Sequence, residues 1–320
     1  MTSSSQSHIA TARWDDWSLA ELVEAKGEHR VSLVVPARNE EGTVGEVVAR
    51  TREALMETVA LVDELVVIDS DSTDTTFAVA TDAGASVHRS REVRPDLGSH
   101  PGKGEAMWKS LFVTTGDLIV FMDADLLDWD THFVPGLLGP LLTRPQVSLV
   151  KGFYERPGAD GLQGGRVTEL VARPWLALRH PELAGLVQPL AGEWAVRRSL
   201  FESLSVPTGY AVELAALVDT ARLHGIEAIA QVDLGLRSHH QQPLLDLGAM
   251  ATQILAAMLA REPGDESSAG SLGAEVALRQ FRPGEGGAEP LERGVPTLER
   301  PPARLFTPGP ADSAPHEPTA

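Results

Sequence analysis

The chain has 320 residues, 42% hydrophobic and 22% charged, with no cysteine, which excludes disulfide-stapled, collagen-like and wholly disordered classes along with thiolate metal sites and cysteine nucleophiles. The length points to one large domain with appendages or to two fused lobes. Lys and Arg total 27 against 45 Asp and Glu, a net charge of −18, which excludes a nucleic-acid-coating surface because such affinity comes from basic groups neutralising phosphates.

Met1 to Ser7 is polar, with no charged start leading into an apolar run, and residues 1–30 read as an N-terminal extension. No stretch reaches the roughly 20 apolar residues of a membrane helix, so a cytoplasmic protein with no membrane partner is expected. Short β-branched runs at Val31–Val35, Leu65–Ile68, Ala85–His88 and Leu118–Met122 predict strands, and the intervening Gly42–Val59, Thr75–Ala83 and Gly104–Thr114 carry helical periodicity. Alternation of this kind implies an α/β fold with a mostly parallel sheet, whose ligands lie beyond the carboxyl ends of the strands. Residues 31–130 therefore read as a nucleotide-binding half. Residues 131–260 continue the domain with strands at Val147–Phe153 and Ala228–Val232, helices at Thr168–Leu178 and Tyr210–His224, and a closing helix at Pro243–Ala260. From Arg261 the chain turns rich in Pro, Gly, Ala and Glu. Residues 261–320 are expected to be a largely disordered tail, too poor in apolar side chains to offset their ordering entropy.

The residues just past each strand carry the chemistry. After the first comes Pro36-Ala37-Arg38-Asn39-Glu40-Glu41, where Asn39 or Glu40 either caps the next helix or faces a ligand. After the second, Asp69-Ser70-Asp71-Ser72-Thr73-Asp74 lacks the Gly and the bidentate Glu of a calcium loop, leaving a capped helix start whose polar groups are also suited to a base or ribose. Asp123-Ala124-Asp125 ends the fourth strand. Carboxylates one residue apart where an apolar strand runs out suit one Mg²⁺ or Mn²⁺, with water and phosphate oxygens filling the remaining positions.

Only four lysines exist, Lys26, Lys103, Lys109 and Lys151, so an anionic ligand depends on few cations. Lys103 lies in Gly98-Ser99-His100-Pro101-Gly102-Lys103-Gly104, which misses the phosphate-loop pattern in glycine spacing and in its final Ser/Thr. The loop Arg89, Arg91, Arg94 and Lys103 against Glu92 and Asp96 is locally positive and either neutralises a diphosphate or is solvated. Gly164-Gly165-Arg166-Val167-Thr168-Glu169 opens a helix and suits an anion, since free amides and the helix dipole favour negative charge there. Gly192-Glu193-Trp194 and Gly209-Tyr210-Ala211-Val212-Glu213 set acids beside glycines, and Glu193 reads as a helix-start partner. Arg237-Ser238-His239-His240-Gln241 comes after the last strand. One of its imidazoles is either structural or a further metal ligand beside Asp125.

Taken together, the first-half motifs resemble a retaining GT-A glycosyltransferase, a Rossmann-like fold with a mixed, mostly parallel sheet. Gly164 to Glu169, Pro189 to Glu193, Gly209 to Glu213 and Arg237 to His239 are similar to the glucosyl-3-phosphoglycerate synthase family. That resemblance implies UDP-glucose as donor, 3-phosphoglycerate as acceptor, Mg²⁺ (or Mn²⁺) as cofactor, retention of configuration and a homodimer. It places Pro36, Ala37, Glu40, Ser70, Lys103, Asp123 and Ala124 on the donor. Gly165, Arg166, Thr168, Arg237 and Gln241 fall on the acceptor, Asp125 and His239 on the metal, and Glu213, Lys103 and Asp123 at the reacting centre. Arg38 stands where an apolar residue is expected and Gln241 where Asn is expected, and the second leaves acceptor selectivity open. GDP-mannose as donor, or a sugar-phosphate nucleotidyltransferase, are the alternatives.

Overall fold

The computed structural model describes residues 8–155, 165–237, 243–262, 273–284 and 287–306. In chain order its main elements are β1 Ala10–Arg13, α1 Leu19–Lys26, β2 Val31–Ala37, α2 Val44–Arg52, β3 Glu64–Asp69, α3 Thr76–Asp82, β4 Ser86–Arg89, α4 Lys103–Ser110 and β5 Leu118–Phe121. Next come α5 Phe133–Thr143, β6 Leu149–Glu155, α6 Arg173–Arg179, β7 Trp194–Arg197, α7 Arg198–Phe201, β8 Val206–Pro207, α8 Val212–His224, β9 Ile229–Leu236 and α9 Leu244–Leu259. The chain closes on β10 Glu275–Gly284, β11 Gly287–Pro296 and β12 Glu299–Arg300. Eight strands form one sheet in the order β1-β9-β6-β7-β5-β2-β3-β4, in which β7 alone runs antiparallel to its neighbours.

Period-two alternation sends successive strand residues to opposite faces. Val34, Val66, Ile68, Ile119 and Phe121 pack with Met107 and Trp108 of α4 and Leu214 and Leu217 of α8. On the other face Leu33, Val35, Val67, Leu118 and Val120 meet Val44, Val47 and Val48 of α2 and Leu137 of α5. Both faces are covered, which is why the strands read as nearly continuous apolar runs. Among the described residues no helix is long and apolar enough to cross a membrane.

Several elements lay outside the expectation from sequence, among them the antiparallel strand β7, where Gly192-Glu193-Trp194 reads as leading into a helix. β1 comes from the N-terminal extension and adds an edge strand to β9. Helix α5 carries Gly136, Gly139 and Pro140, poor helix formers; a methyl on Gly139 would stand 2.3 Å from the Trp17 ring, so close packing against that tryptophan outweighs propensity. The expected disordered tail is corrected for residues 273–284 and 287–306. β10 and β11 form an antiparallel hairpin docked on α9, where Gln280 Nε2 donates to the Leu245 carbonyl at 2.9 Å and Arg293 pairs with Asp246 at 2.9 Å, and β12 pairs with β8. Many of the contacts that hold this segment are polar or charged, and only a few apolar side chains such as Val295, Ala303 and Phe306 pack inward, so composition did not announce it.

Helix α4 is seated against the turn after β8. Gly104 N donates to the Gly209 carbonyl at 3.2 Å and Glu105 N to that of Thr208 at 2.9 Å. A methyl on Gly104 would stand 1.9 Å from the Pro207 carbonyl oxygen. Gly104→Ala should therefore lower unfolding free energy by about 1–3 kcal/mol in urea titration; unchanged stability would show that the seat is not closely packed.

Candidate active site

Because β7 reverses direction between β5 and β6, the carboxyl ends of β2, β3, β5, β6 and β9 share one edge, and the charged residues gather there. Met122 N still bonds the Val34 carbonyl at 3.1 Å, so Asp123 is the first residue past the ladder of β5. Arg237 comes directly after β9 and is tied to β6 through its amide, which donates to the Glu155 carbonyl at 3.0 Å. Lys103 begins α4, and Glu213 sits in the first turn of α8.

These side chains meet at Asp123. Its Oδ1 accepts from Lys103 Nζ at 2.5 Å and its Oδ2 from Arg237 Nη2 at 3.0 Å, while Lys103 Nζ also lies 2.8 Å from Glu213 Oε1. Arg237 Nη1 in turn donates to Glu193 Oε2 at 2.9 Å and to the Tyr154 hydroxyl, with its guanidinium over the Tyr154 ring. A methyl on Gly192 would stand 2.0 Å from the Asp123 carboxylate, so glycine lets the loop backbone close over that side. Burial alone would raise the Asp123 carboxyl, but Lys103 and Arg237 outweigh it and hold it well below the usual carboxylate range. Burial likewise opposes the charge on Lys103, and Asp123 and Glu213 more than offset it, keeping the ammonium firmly protonated.

Asp125 differs. Its side chain is 38% exposed, and among the described residues its one close cation is Arg237 at 3.5 Å. Burial, then the charge of Asp123, pushes its carboxyl up. A half-open carboxylate beside a second one, short of positive charge, is a hard oxygen donor that suits a divalent cation. Among the described residues no three His, Asp or Glu side chains form a ready-made cage, so such an ion would complete its coordination from elsewhere. His239 and Gln241 lie outside the described residues.

Most of the residues expected on the donor sit on two loops laced together. Ser70 N donates to the Ala37 carbonyl at 2.8 Å, Thr73 N to Asn39 Oδ1 at 2.8 Å, and Glu40 N to Thr76 Oγ1 at 2.8 Å. Asn39 and Asp71 adopt φ of 57° and 58°, a left-handed conformation that Asn and Asp tolerate better than most residues. Pro36 and Ala37 end β2, and Ala124 is buried beside the cluster. Burial, with Asp125, Asp123 and Asp74 nearby, pushes the Glu40 carboxyl up to about 7, so this group can both donate and accept near neutral pH.

Of the residues expected on the acceptor, Gly165, Arg166 and Thr168 stand at the start of the next helix, Arg166 exposed and Thr168 buried. Arg237, expected on the acceptor, is 3% exposed and engaged by Glu193, Asp123 and Tyr154, which supply counter-charge and hydrogen bonds at a low-dielectric edge. Glu193 is no helix-start partner. It precedes β7, is fully buried, and carries one anchor of Arg237. The positive loop also changes character: Arg94 pairs with Asp96, Arg91 with Asp71, and Arg89 lies over the Phe77 ring, which leaves Lys103 as its contribution to the cluster. In the sequence Lys151 stands out only for its rarity. The structure places it behind the cluster, 1% exposed, with Nζ donating to the Ala191 carbonyl next to Gly192.

Residues 32–204 match the Glycosyl transferase family 2 profile. The chain is 47% identical over 297 residues to the glucosyl-3-phosphoglycerate synthase of Mycolicibacterium smegmatis (strain ATCC 700084 / mc(2)155), spanning 91% of this chain and 95% of that one. The crystal structure of glucosyl-3-phosphoglycerate synthase from Mycobacterium tuberculosis in complex with Mn²⁺ and uridine-diphosphate-glucose matches with TM-score 0.81 at 42% identity, over 93% of this chain and 99% of that chain. The complex of the same enzyme with Mn²⁺, uridine-diphosphate and phosphoglyceric acid matches at 0.82 and 42%, with the same coverage.

Lys151 supplies a pH test of the cluster. Burial pushes its ammonium from 10.5 down to about 8, with Glu213 opposing and Lys103 adding to the shift. Between about pH 8 and 10 the unfolded chain binds more protons than the fold, so stability rises with pH across that window, while below it the full cost of the buried ammonium persists. In urea unfolding, wild type should gain about 2–3 kcal/mol on Lys151→Met between pH 7.5 and 10. A difference that does not change with pH would contradict the assignment.

Proposed function

From the premise that the chain belongs to the glucosyl-3-phosphoglycerate synthase branch of glycosyl transferase family 2, we propose that it transfers glucose from UDP-glucose to the 2-hydroxyl of 3-phosphoglycerate with retention of configuration. The observation that carries the reading is the Lys103–Asp123–Arg237 array at the carboxyl edge of the sheet, with Glu213 on the other side of the same ammonium. Breaking the bond between sugar and diphosphate builds negative charge on the leaving phosphate. A fixed, protonated Lys103 stabilises that charge where it forms, with no reorganisation at the moment of reaction. Asp123 holds Lys103 in place and is itself held by Arg237. Glu213 accepts hydrogen bonds from the glucose hydroxyls. Pro36, Ala37, Glu40, Ser70 and Ala124 receive the nucleotide, and Gly165, Arg166 and Thr168 with Gln241 receive the anionic acceptor.

Asp125, with His239, would hold Mg²⁺ or Mn²⁺, and the donor set fits because Asp125 is the under-compensated carboxylate of the pair. When bound, the ion supplies charge neutralisation at the diphosphate. Glu213 and Glu193 are both buried and already engaged, the first by Lys103 and the second by Arg237, which favours a front-face transfer over a covalent sugar intermediate on either. The net charge of −18 supports small-molecule partners over nucleic acid, and the likeness to glucosyl-3-phosphoglycerate synthases extends the reading to a cytoplasmic homodimer with no membrane partner.

Release of UDP from UDP-glucose in the presence of 3-phosphoglycerate should be abolished by EDTA and restored by Mg²⁺ or Mn²⁺, with GDP-mannose a poor donor in parallel. Asp125→Asn should cut turnover about a hundredfold or more while leaving thermal unfolding unchanged or slightly raised, since it removes one of two neighbouring like charges. Preference for GDP-mannose, pyrophosphate release from UTP, or full activity of Asp125→Asn would each overturn part of this reading.

A further inference from the structure

Lys103 is delivered to the cluster by a segment without sheet pairing. Between β4 and α4 the chain makes two short turns, Ser90–Glu92 and Pro95–Leu97, and Arg94, Gly98 and Gly102 take φ of 48°, 67° and 135°. Side chains fix this path. Lys109 Nζ, buried beneath it, donates to the carbonyls of Val93, Arg94 and Gly98 at 2.5, 3.1 and 2.7 Å. Arg300, from the far end of the chain, donates to Leu97 O at 2.8 Å and Gly98 O at 3.1 Å.

The same guanidinium grips Glu105, two residues beyond Lys103, through both carboxylate oxygens at 2.7 and 2.6 Å. Glu105 is fully buried, and its Oε1 also accepts from His100 N at 3.2 Å. Arg300 lies over the Trp108 ring, Trp108 Nε1 donates to the Pro301 carbonyl at 2.9 Å, and Arg94 Nη1 donates to the Phe306 carbonyl at 3.0 Å. β12 pairs with β8, and Thr208, whose carbonyl seats α4, donates its amide to Leu298 O at 3.0 Å.

We propose that residues 297–306 form a strap whose Arg300–Glu105 pair positions Lys103 for the donor diphosphate; the proposal rests on the nucleotide-sugar reading of the site. Arg300 and Glu105 are positioning residues that act through α4. Without Arg300, Glu105 becomes a buried carboxylate with no fork to pair it. Lys109, one helical turn on, is the cation within reach, and drawing it over would release the carbonyls of residues 93–98 that shape the approach to Lys103.

The test is calorimetric titration of the full-length chain with UDP and Mn²⁺, with folding checked by circular dichroism. Arg300→Met should weaken UDP binding about tenfold or more, and adding Glu105→Gln should restore most of the loss, because no lone buried charge then remains. In a Lys103→Ala background, Arg300→Met should change affinity by less than about twofold, since the residue through which it acts is gone. Arg300→Lys, which keeps the charge and loses the fork, carries the same comparison if the methionine variant does not fold. Wild-type affinity in Arg300→Met or Arg300→Lys, or an equal loss with and without Lys103, overturns the proposal as a purely structural role would. Wild-type protein that binds no UDP overturns the nucleotide-sugar reading, a separate result.

Discussion

A carboxylate gripped on both oxygens by buried or half-buried cations is the constraint on which the site depends. Asp123 leaves the end of β5 with Lys103 on one oxygen and Arg237 on the other. Neither cation would be tolerated at that edge alone, because each would lack a counter-charge in a low-dielectric environment. Arg237 is completed by Glu193 and Tyr154, and Lys103 by Glu213. The result is a chain of alternating charges that starts at Glu193, just before β7, and ends at Glu213 on α8. It presents one ammonium, 16% exposed, toward the space beyond the sheet. The remaining carboxylate, Asp125, is where the array runs short of positive charge.

The same economy of cations explains the other lysines. Lys26 bonds the Ala60 carbonyl and Asp63, Lys109 three loop carbonyls, and Lys151 the Ala191 carbonyl behind the cluster. In a chain of −18 these residues do not decorate the surface. They hold backbone that ordinary ladders do not reach, and two of them, Lys109 and Lys151, hold the segments that flank Lys103 and Asp123. Loops carry the chemistry here, and buried cations give those loops the rigidity that strands give the sheet.

Much of this was legible in the sequence because strand ends are punctuated by chemistry. The runs Val31–Val35, Leu65–Ile68 and Leu118–Met122 form strands, and Lys103, Asp123, Asp125, Glu213 and Arg237 do converge at their carboxyl edge. What was not legible depends on long-range partners. Glu193 gave no sign that Arg237, 44 residues later, would bury it. Nothing in the sequence around Arg237 shows that its neighbours in space are the acids Asp123 and Glu193. Helix α5 hid behind Gly136, Gly139 and Pro140, whose cost is met by packing on Trp17. The strap hid in a Pro- and Glu-rich segment whose anchor, Arg300, finds its partner 195 residues away. A separation of that size leaves no local periodicity to read.

The central claim is that the array holds Lys103 poised and passes its charge to the diphosphate without rearranging the carboxylates behind it. A crystal structure of this chain with UDP and Mn²⁺ tests it most directly. The account predicts Lys103 Nζ within hydrogen-bond distance of a diphosphate oxygen, roughly 3 Å, with Asp123 still bridging Lys103 and Arg237. Lys103 still closed on Glu213 with no phosphate contact, or Asp123 released by Arg237, would contradict it.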